Sequence, residues 1–90
     1  MEIQIYGAKF DSETVQAARE NVAKWWANNS RAIRQEDYYA SHVTTEQKDE
    51  NLRKGLAFAE SIAKGEQDGN FTVAQRIYEL LTGKCVALLP

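Results

Sequence analysis

Apolar residues alternate with polar ones at the start of the chain and recur at helical spacing through most of the remaining sequence. Ile3 and Ile5 alternate with polar neighbours over residues 2–6, the pattern of a half-buried β-strand. Gly7 then opens a short connection. A second apolar run, residues 85–89, needs burial because it has no polar face. Residues 2–6 offer it the only plausible strand partner, so the sequence predicts that these two segments pair in a small sheet.

The first helical pattern begins at Asp11 and Ser12, both good N-cap residues. The Asn-Asn-Ser stretch that ends at Ser30 weakens a helix, because these side chains compete for backbone hydrogen bonds. Ile33 and Ala40 nevertheless keep the helical phase. Two arrangements stay open: one long kinked helix to about Ala40, or two helices with Ser30 capping the second. The apolar face of the first part consists of Val15, Ala18, Val22, Trp25 and Trp26.

A later helix begins with a capping-box pattern, Thr44 followed by Gln47. Gly65 is placed to end this helix in a left-handed conformation. Gly55 lies on the apolar stripe, which indicates a close helix crossing at that point. The stripe consists of Leu52, Leu56, Ala59, Ile62 and Ala63.

The last helix shows the same start signal, Thr72 followed by Gln75, and Gly83 ends it. Its apolar face consists of Val73, Ala74, Ile77, Leu80 and Leu81.

These elements predict an α+β fold, with three or four helices packed on a small sheet of strands at about 2–6 and 85–89. Ninety residues are enough for a single compact domain over residues 1–90. An isolated two-stranded ribbon is marginally stable. The sheet therefore needs a third strand, a covering helix or a second subunit, and the last of these would make a homodimer.

Composition indicates a soluble globular protein, with 43% hydrophobic and 27% charged residues. The net charge of −2 predicts no general attraction to nucleic acid or to anionic membranes. A single cysteine and the lack of a signal-peptide pattern predict a reducing, cytoplasmic location. The longest apolar run has five residues, where a membrane helix needs about 20.

Catalytic and metal-binding patterns are weak. His42 and Cys85 are the only histidine and the only cysteine, too few for a typical zinc site. Cys85 lies in the apolar run and so lacks the polar setting that lowers a thiol pKa. A Cys85–His42 nucleophile pair is a formal alternative. We expect no cofactor, no metal and no enzymatic activity.

Two segments are candidates for contact with a partner. The first, the acidic–aromatic segment, comprises Glu36, Asp37, Tyr38, Tyr39 and His42, and it combines tyrosines, which are common binding anchors, with negative charge. The second, the basic surface, comprises Lys24, Arg31 and Arg34, which offer cations to nucleic acid beside the stacking groups Trp25 and Trp26. The acidic–aromatic segment predicts a non-enzymatic protein-interaction module, a regulator or inhibitor of the kind often encoded by phages and mobile elements, and the basic surface makes a nucleic-acid-binding regulator the alternative.

Overall fold

The computed structural model describes residues 1–35 and 43–83. This part of the chain is α+β, with a two-stranded antiparallel sheet and three helices. Two predicted features, the acidic–aromatic segment with Glu36, Asp37, Tyr38, Tyr39 and His42 and the strand at 85–89, lie outside the described residues. In chain order the elements are β1 (Glu2–Ile5), β2 (Ala8–Asp11), α1 (Ser12–Gln35), α2 (Thr45–Ala63) and α3 (Phe71–Thr82).

The first strand pairs with a different segment from the one predicted from the sequence. The prediction that residues 85–89 are its only plausible partner is wrong, because β1 pairs with β2 in a hairpin. Ile5 faces Ala8 next to a two-residue loop, and Ile3 faces Phe10 further along. Tyr6 and Gly7 form the loop with φ angles of +49° and +81°. Positive φ at both loop residues is the geometry that matches the twist of a tight hairpin.

Alternation along the hairpin gives it one apolar face and one polar face. Ile3, Ile5 and Phe10 are half-buried and pack against the core formed by the helices. The helices thus cover the sheet, which is one of the three ways predicted to stabilise a two-stranded ribbon. The outward face is exposed and polar, with Glu2, Gln4, Lys9 and Asp11.

Helix α1 runs without interruption from Ser12 to Gln35. The arrangement with a second helix capped by Ser30 is therefore wrong, and the single-helix arrangement holds as far as Gln35. The Ser30 hydroxyl donates to the Trp26 carbonyl oxygen at 3.0 Å. Ser30 was expected to weaken the helix by competing for backbone hydrogen bonds. Its hydroxyl group instead makes a hydrogen bond to a carbonyl one turn earlier in the same helix.

Helix α2 confirms the predicted capping box. The backbone N–H of Gln47 donates to Thr44 Oγ1 at 3.1 Å, and the backbone N–H of Thr44 donates to the side-chain oxygen Oε1 of Gln47 at 2.9 Å. Gly65 follows the helix with φ of +81°, the predicted left-handed conformation. Gly55 lies where α2 meets α1, since a Cβ built on it would be 2.9 Å from Ser30 Cβ and closer still to Ser30 Oγ. The predicted close crossing is confirmed.

Gly55→Ala should therefore destabilise the protein, although alanine favours helix formation by about 1 kcal/mol over glycine. Overpacking of this kind costs about 1–3 kcal/mol, so the net loss should be about 0–2 kcal/mol. Urea unfolding followed by circular dichroism measures it. In a Ser30→Gly background, where the opposing Cβ is absent, the same substitution should cost less, and a Gly55→Ala protein about 1 kcal/mol more stable than the parent would contradict the close crossing.

The start of α3 lies two residues before the predicted one. Asn70, and not Thr72, is the N-cap, because Asn70 Oδ1 accepts from the Thr72 and Val73 amides at 3.0 and 3.3 Å. Phe71 thereby becomes the first helical residue. Gly83 ends the helix with φ of +71°, as expected from the sequence.

The N-cap assignment is testable by a pair of substitutions. Asn70→Ala should lower the free energy of unfolding by about 1 kcal/mol, the usual cost of losing a cap. Thr72→Ala, on an exposed position inside the first turn, should change it by less than about 0.5 kcal/mol. Thermal unfolding of the two variants beside the parent measures both, and the reverse order of effects would restore Thr72 as the cap.

The core lies where the first half of α1, the second half of α2 and α3 meet. Its fully buried side chains are Val15, Ile62, Val73 and Ile77. The remaining parts of α1 and α2 extend beyond this core, so the molecule measures 46 × 27 × 17 Å. Its radius of gyration of 15.4 Å exceeds the value of about 12 Å expected for a compact chain of this length. Among the described helices, none has the length and apolar character needed to cross a membrane.

Candidate functional site

Apart from Met1, the exposed large apolar side chains of the described residues lie in two places. One is the hairpin loop, where Tyr6 lies beside Phe71. The other is a depression between α1 and α3, which Trp25 of α1 and Leu80 of α3 both line. Exposed apolar groups that lie together mark candidate contact surfaces, whereas scattered ones need no explanation.

The aromatic patch, defined as Tyr6 and Phe71, rests on the buried aromatic residue Tyr78. The Tyr6 ring meets the Tyr78 ring edge-on, with centroids 5.5 Å apart, and the Phe71 ring at 6.4 Å. Tyr78 is buried and also contacts Phe10 at 6.4 Å. Phe71 remains 66% exposed and Tyr6 40% exposed. The patch therefore presents two rings to solvent from a base that is fixed in the core.

The backbone of Tyr6 is strained. Its φ of +49° lies in the left-handed region, which costs an L-residue with a bulky side chain about 1–2 kcal/mol. Asn or Asp is the usual first residue of such a loop before glycine. Strain of this kind persists where surrounding contacts hold it, and it concentrates at functional positions. The contact of Tyr6 with Tyr78 offsets the strain and fixes the ring at the tip of the hairpin.

An ion pair holds the loop that leads into Phe71. Arg19 Nε donates to Asp68 Oδ1 at 3.0 Å, and Arg19 Nη2 donates to Asp68 Oδ2. Gln16 Oε1 accepts from Arg19 Nη1 at 3.1 Å, and Gln16 Nε2 donates to the Ala63 carbonyl at 2.7 Å. These bonds tie α1 to the end of α2 and to the α2–α3 loop, and so hold the start of α3, which carries Phe71 of the aromatic patch.

The second place, the α1–α3 groove, has a volume of about 210 Å³ around Trp25. The Arg76 guanidinium lies 5.0 Å from the centroid of the Trp25 ring, a cation–π contact. Trp25 is 47% exposed and Leu80 52% exposed. A shallower depression continues the groove toward the start of α1, sharing Asn21 and Leu80 with the first part. Its other lining residues are Asp11, Glu13, Thr14, Ala17, Ala18 and Leu81.

The predicted basic surface is partly occupied by contacts within the protein. Arg34 forms a salt bridge with Asp49 on α2, with Nη2 2.9 Å from Oδ1. Arg31 Nη1 donates to Asn28 Oδ1 at 3.3 Å, while Lys24 is exposed. The Arg34 pair links α1 to α2 and lowers the net positive charge that this surface offers to a nucleic acid.

The two tryptophans have different environments. Trp26 is half-buried and its ring lies 5.1 Å from that of Phe58, so it belongs to the helix interface. Trp25 meets Trp26 edge-on at 5.6 Å and faces the α1–α3 groove. The sequence pattern did not separate these two roles.

The described residues hold no candidate metal site, and the formal nucleophile pair lies outside them. Within residues 1–35 and 43–83, no group of three or more His, Cys, Asp or Glu side chains is arranged to hold a metal ion. His42 and Cys85, the formal nucleophile pair, lie outside the described residues, as does the acidic–aromatic segment, which follows Gln35 directly.

Comparison of the chain with protein-family models, with curated proteins and with solved structures gives no match. Its surfaces are therefore the basis for assigning a function.

Proposed function

We propose that the chain is a non-enzymatic protein-binding module, a small regulator or inhibitor that acts by contact with a partner protein. The observation that carries this proposal is the aromatic patch. Tyr6 and Phe71 expose large apolar area, and their edge contacts hold the rings in place before any partner arrives. Preorganised aromatic side chains lose little conformational entropy on binding and are typical interface hot spots.

The surroundings of the patch suit a protein interface. The outward face of the hairpin is polar and carries both signs of charge, with Lys9 opposite Gln4 and acidic residues at the far end. An apolar centre with a polar, mixed-charge rim is the usual anatomy of such an interface. The partner proposed here offers an apolar pocket for the two rings.

The acidic–aromatic segment supplies a second proposed contact. Tyr38 and Tyr39 would act as further anchors, whereas Glu36 and Asp37 would accelerate association with a basic partner by electrostatic steering. His42 completes the segment at its other end. The proposal for this segment depends on its sequence composition.

Affinity capture from a lysate of the native host tests the function. The tagged full chain is compared with Tyr6→Asn/Phe71→Ala, with the control Glu46→Ala/Lys54→Ala at two exposed positions on α2, and with Arg31→Glu/Arg34→Glu. We expect a protein that is retained by the parent, by the control and by the arginine variant, but not by the patch variant. Nuclease treatment should not change its retention. Retention that requires nucleic acid and is lost in the arginine variant would instead support the nucleic-acid-binding alternative.

A further inference from the structure

We propose that residues 85–89 of the same chain occupy the α1–α3 groove. The segment is apolar throughout, Cys-Val-Ala-Leu-Leu, and follows α3 after only Gly83 and Lys84. The groove offers it the exposed side chains of Trp25 and Leu80. This inference goes beyond the proposed function, because it concerns a second surface and an occupant from within the chain.

The length of the segment fits the groove. Leu80 and Leu81 line the groove and lie within one turn of Gly83, so the chain leaves α3 at its edge. Along α1 the groove extends from Thr14 to Trp25, which is about 16 Å at 1.5 Å per residue. Residues 84–89 reach about 20 Å when extended, enough to cover it from end to end.

Charge and side-chain size complement the segment as well. Ala17 and Ala18 line the shallow part of the groove with small side chains, where a backbone can approach closely. Asp11 and Glu13 lie at the end where α1 begins. Lys84 precedes the apolar residues, so its ammonium group can meet these carboxylates while the leucines extend toward Trp25. Occupation of the groove leaves the aromatic patch exposed and available to a partner.

Disulfide trapping tests the docking in the full chain. In a Cys85→Ser background, Ala87→Cys is combined with Asn21→Cys, which lines the groove, or with Glu20→Cys as a control. Positions 20 and 21 are neighbours on α1, but their side chains point about 100° apart. After oxidation with diamide, the intramolecular disulfide should form about tenfold faster with Asn21→Cys than with Glu20→Cys. Docking raises the effective concentration of the thiol at position 87 near position 21, but not near position 20. Equal rates would overturn the proposal, as would a cross-linked dimer as the main product.

A second measurement keeps the proposal testable if the cysteine variants fold poorly. With Trp26→Phe, the tryptophan fluorescence comes from Trp25 alone, and its quenching by acrylamide reports the exposure of that ring. Adding Leu88→Ala and Leu89→Ala should increase the quenching while the far-ultraviolet circular dichroism still shows the helices. Unchanged quenching in the folded variant would show that the segment does not cover Trp25.

Discussion

Replacing Ile77 with alanine is expected to lower the free energy of unfolding by about 2–5 kcal/mol, the range for a fully buried isoleucine. Ile77 is 1% exposed and packs in the core with Val15, Ile62 and Val73. A domain of this size has a total stability of about 5–10 kcal/mol. The substitution should therefore reduce the melting temperature by at least about 10 °C.

Phe71→Ala is the matched control on the same helix. It removes a larger side chain, but one that lies mostly in solvent, so the loss should stay below about 1 kcal/mol. Urea unfolding of both variants, followed by circular dichroism at 222 nm, compares the two losses. Equal losses would contradict the position of α3 on the core.

The helices could be predicted because their signals are local. Thr44 and Gln47 form their capping box within one turn, and the apolar stripes follow the period of the helix itself. The start of α3 was missed because Asn70 and Thr72 are both good N-cap residues. The side chain of Asn70 reaches two free amides, which decides the competition.

The hairpin was only half predictable. β1 shows clear alternation, whereas in β2 Phe10 is the one large apolar residue. The loop carries Tyr6 where Asn or Asp usually precedes glycine, so the turn had no standard signal. A tight connection at Gly7 between Ile5 and Phe10 was the available clue to the second strand.

The aromatic patch could not be derived from the sequence, because its contacts join distant parts of the chain. Tyr6 meets Phe71 and Tyr78 only after the hairpin folds onto α3. The Arg19–Asp68 pair that fixes the intervening loop is likewise long-range. Periodicity and capping describe single elements and carry no information on which elements meet.

The second large effect concerns binding. Tyr6→Asn/Phe71→Ala is expected to weaken the affinity for the captured partner by about 10- to 100-fold, as the loss of hot-spot rings does. Asparagine suits the positive φ at position 6, so relief of backbone strain offsets part of the lost packing on Tyr78. The variant should therefore keep a cooperative melt, and the loss of affinity can be assigned to the rings.

The dissociation constant of the purified complex, measured by isothermal titration calorimetry, tests the binding surface most directly. The parent is titrated beside Tyr6→Asn/Phe71→Ala and the α2 control Glu46→Ala/Lys54→Ala. We predict the 10- to 100-fold loss for the first variant and a change of less than about threefold for the control. An unchanged dissociation constant in the folded Tyr6→Asn/Phe71→Ala protein would show that the partner does not bind at the aromatic patch.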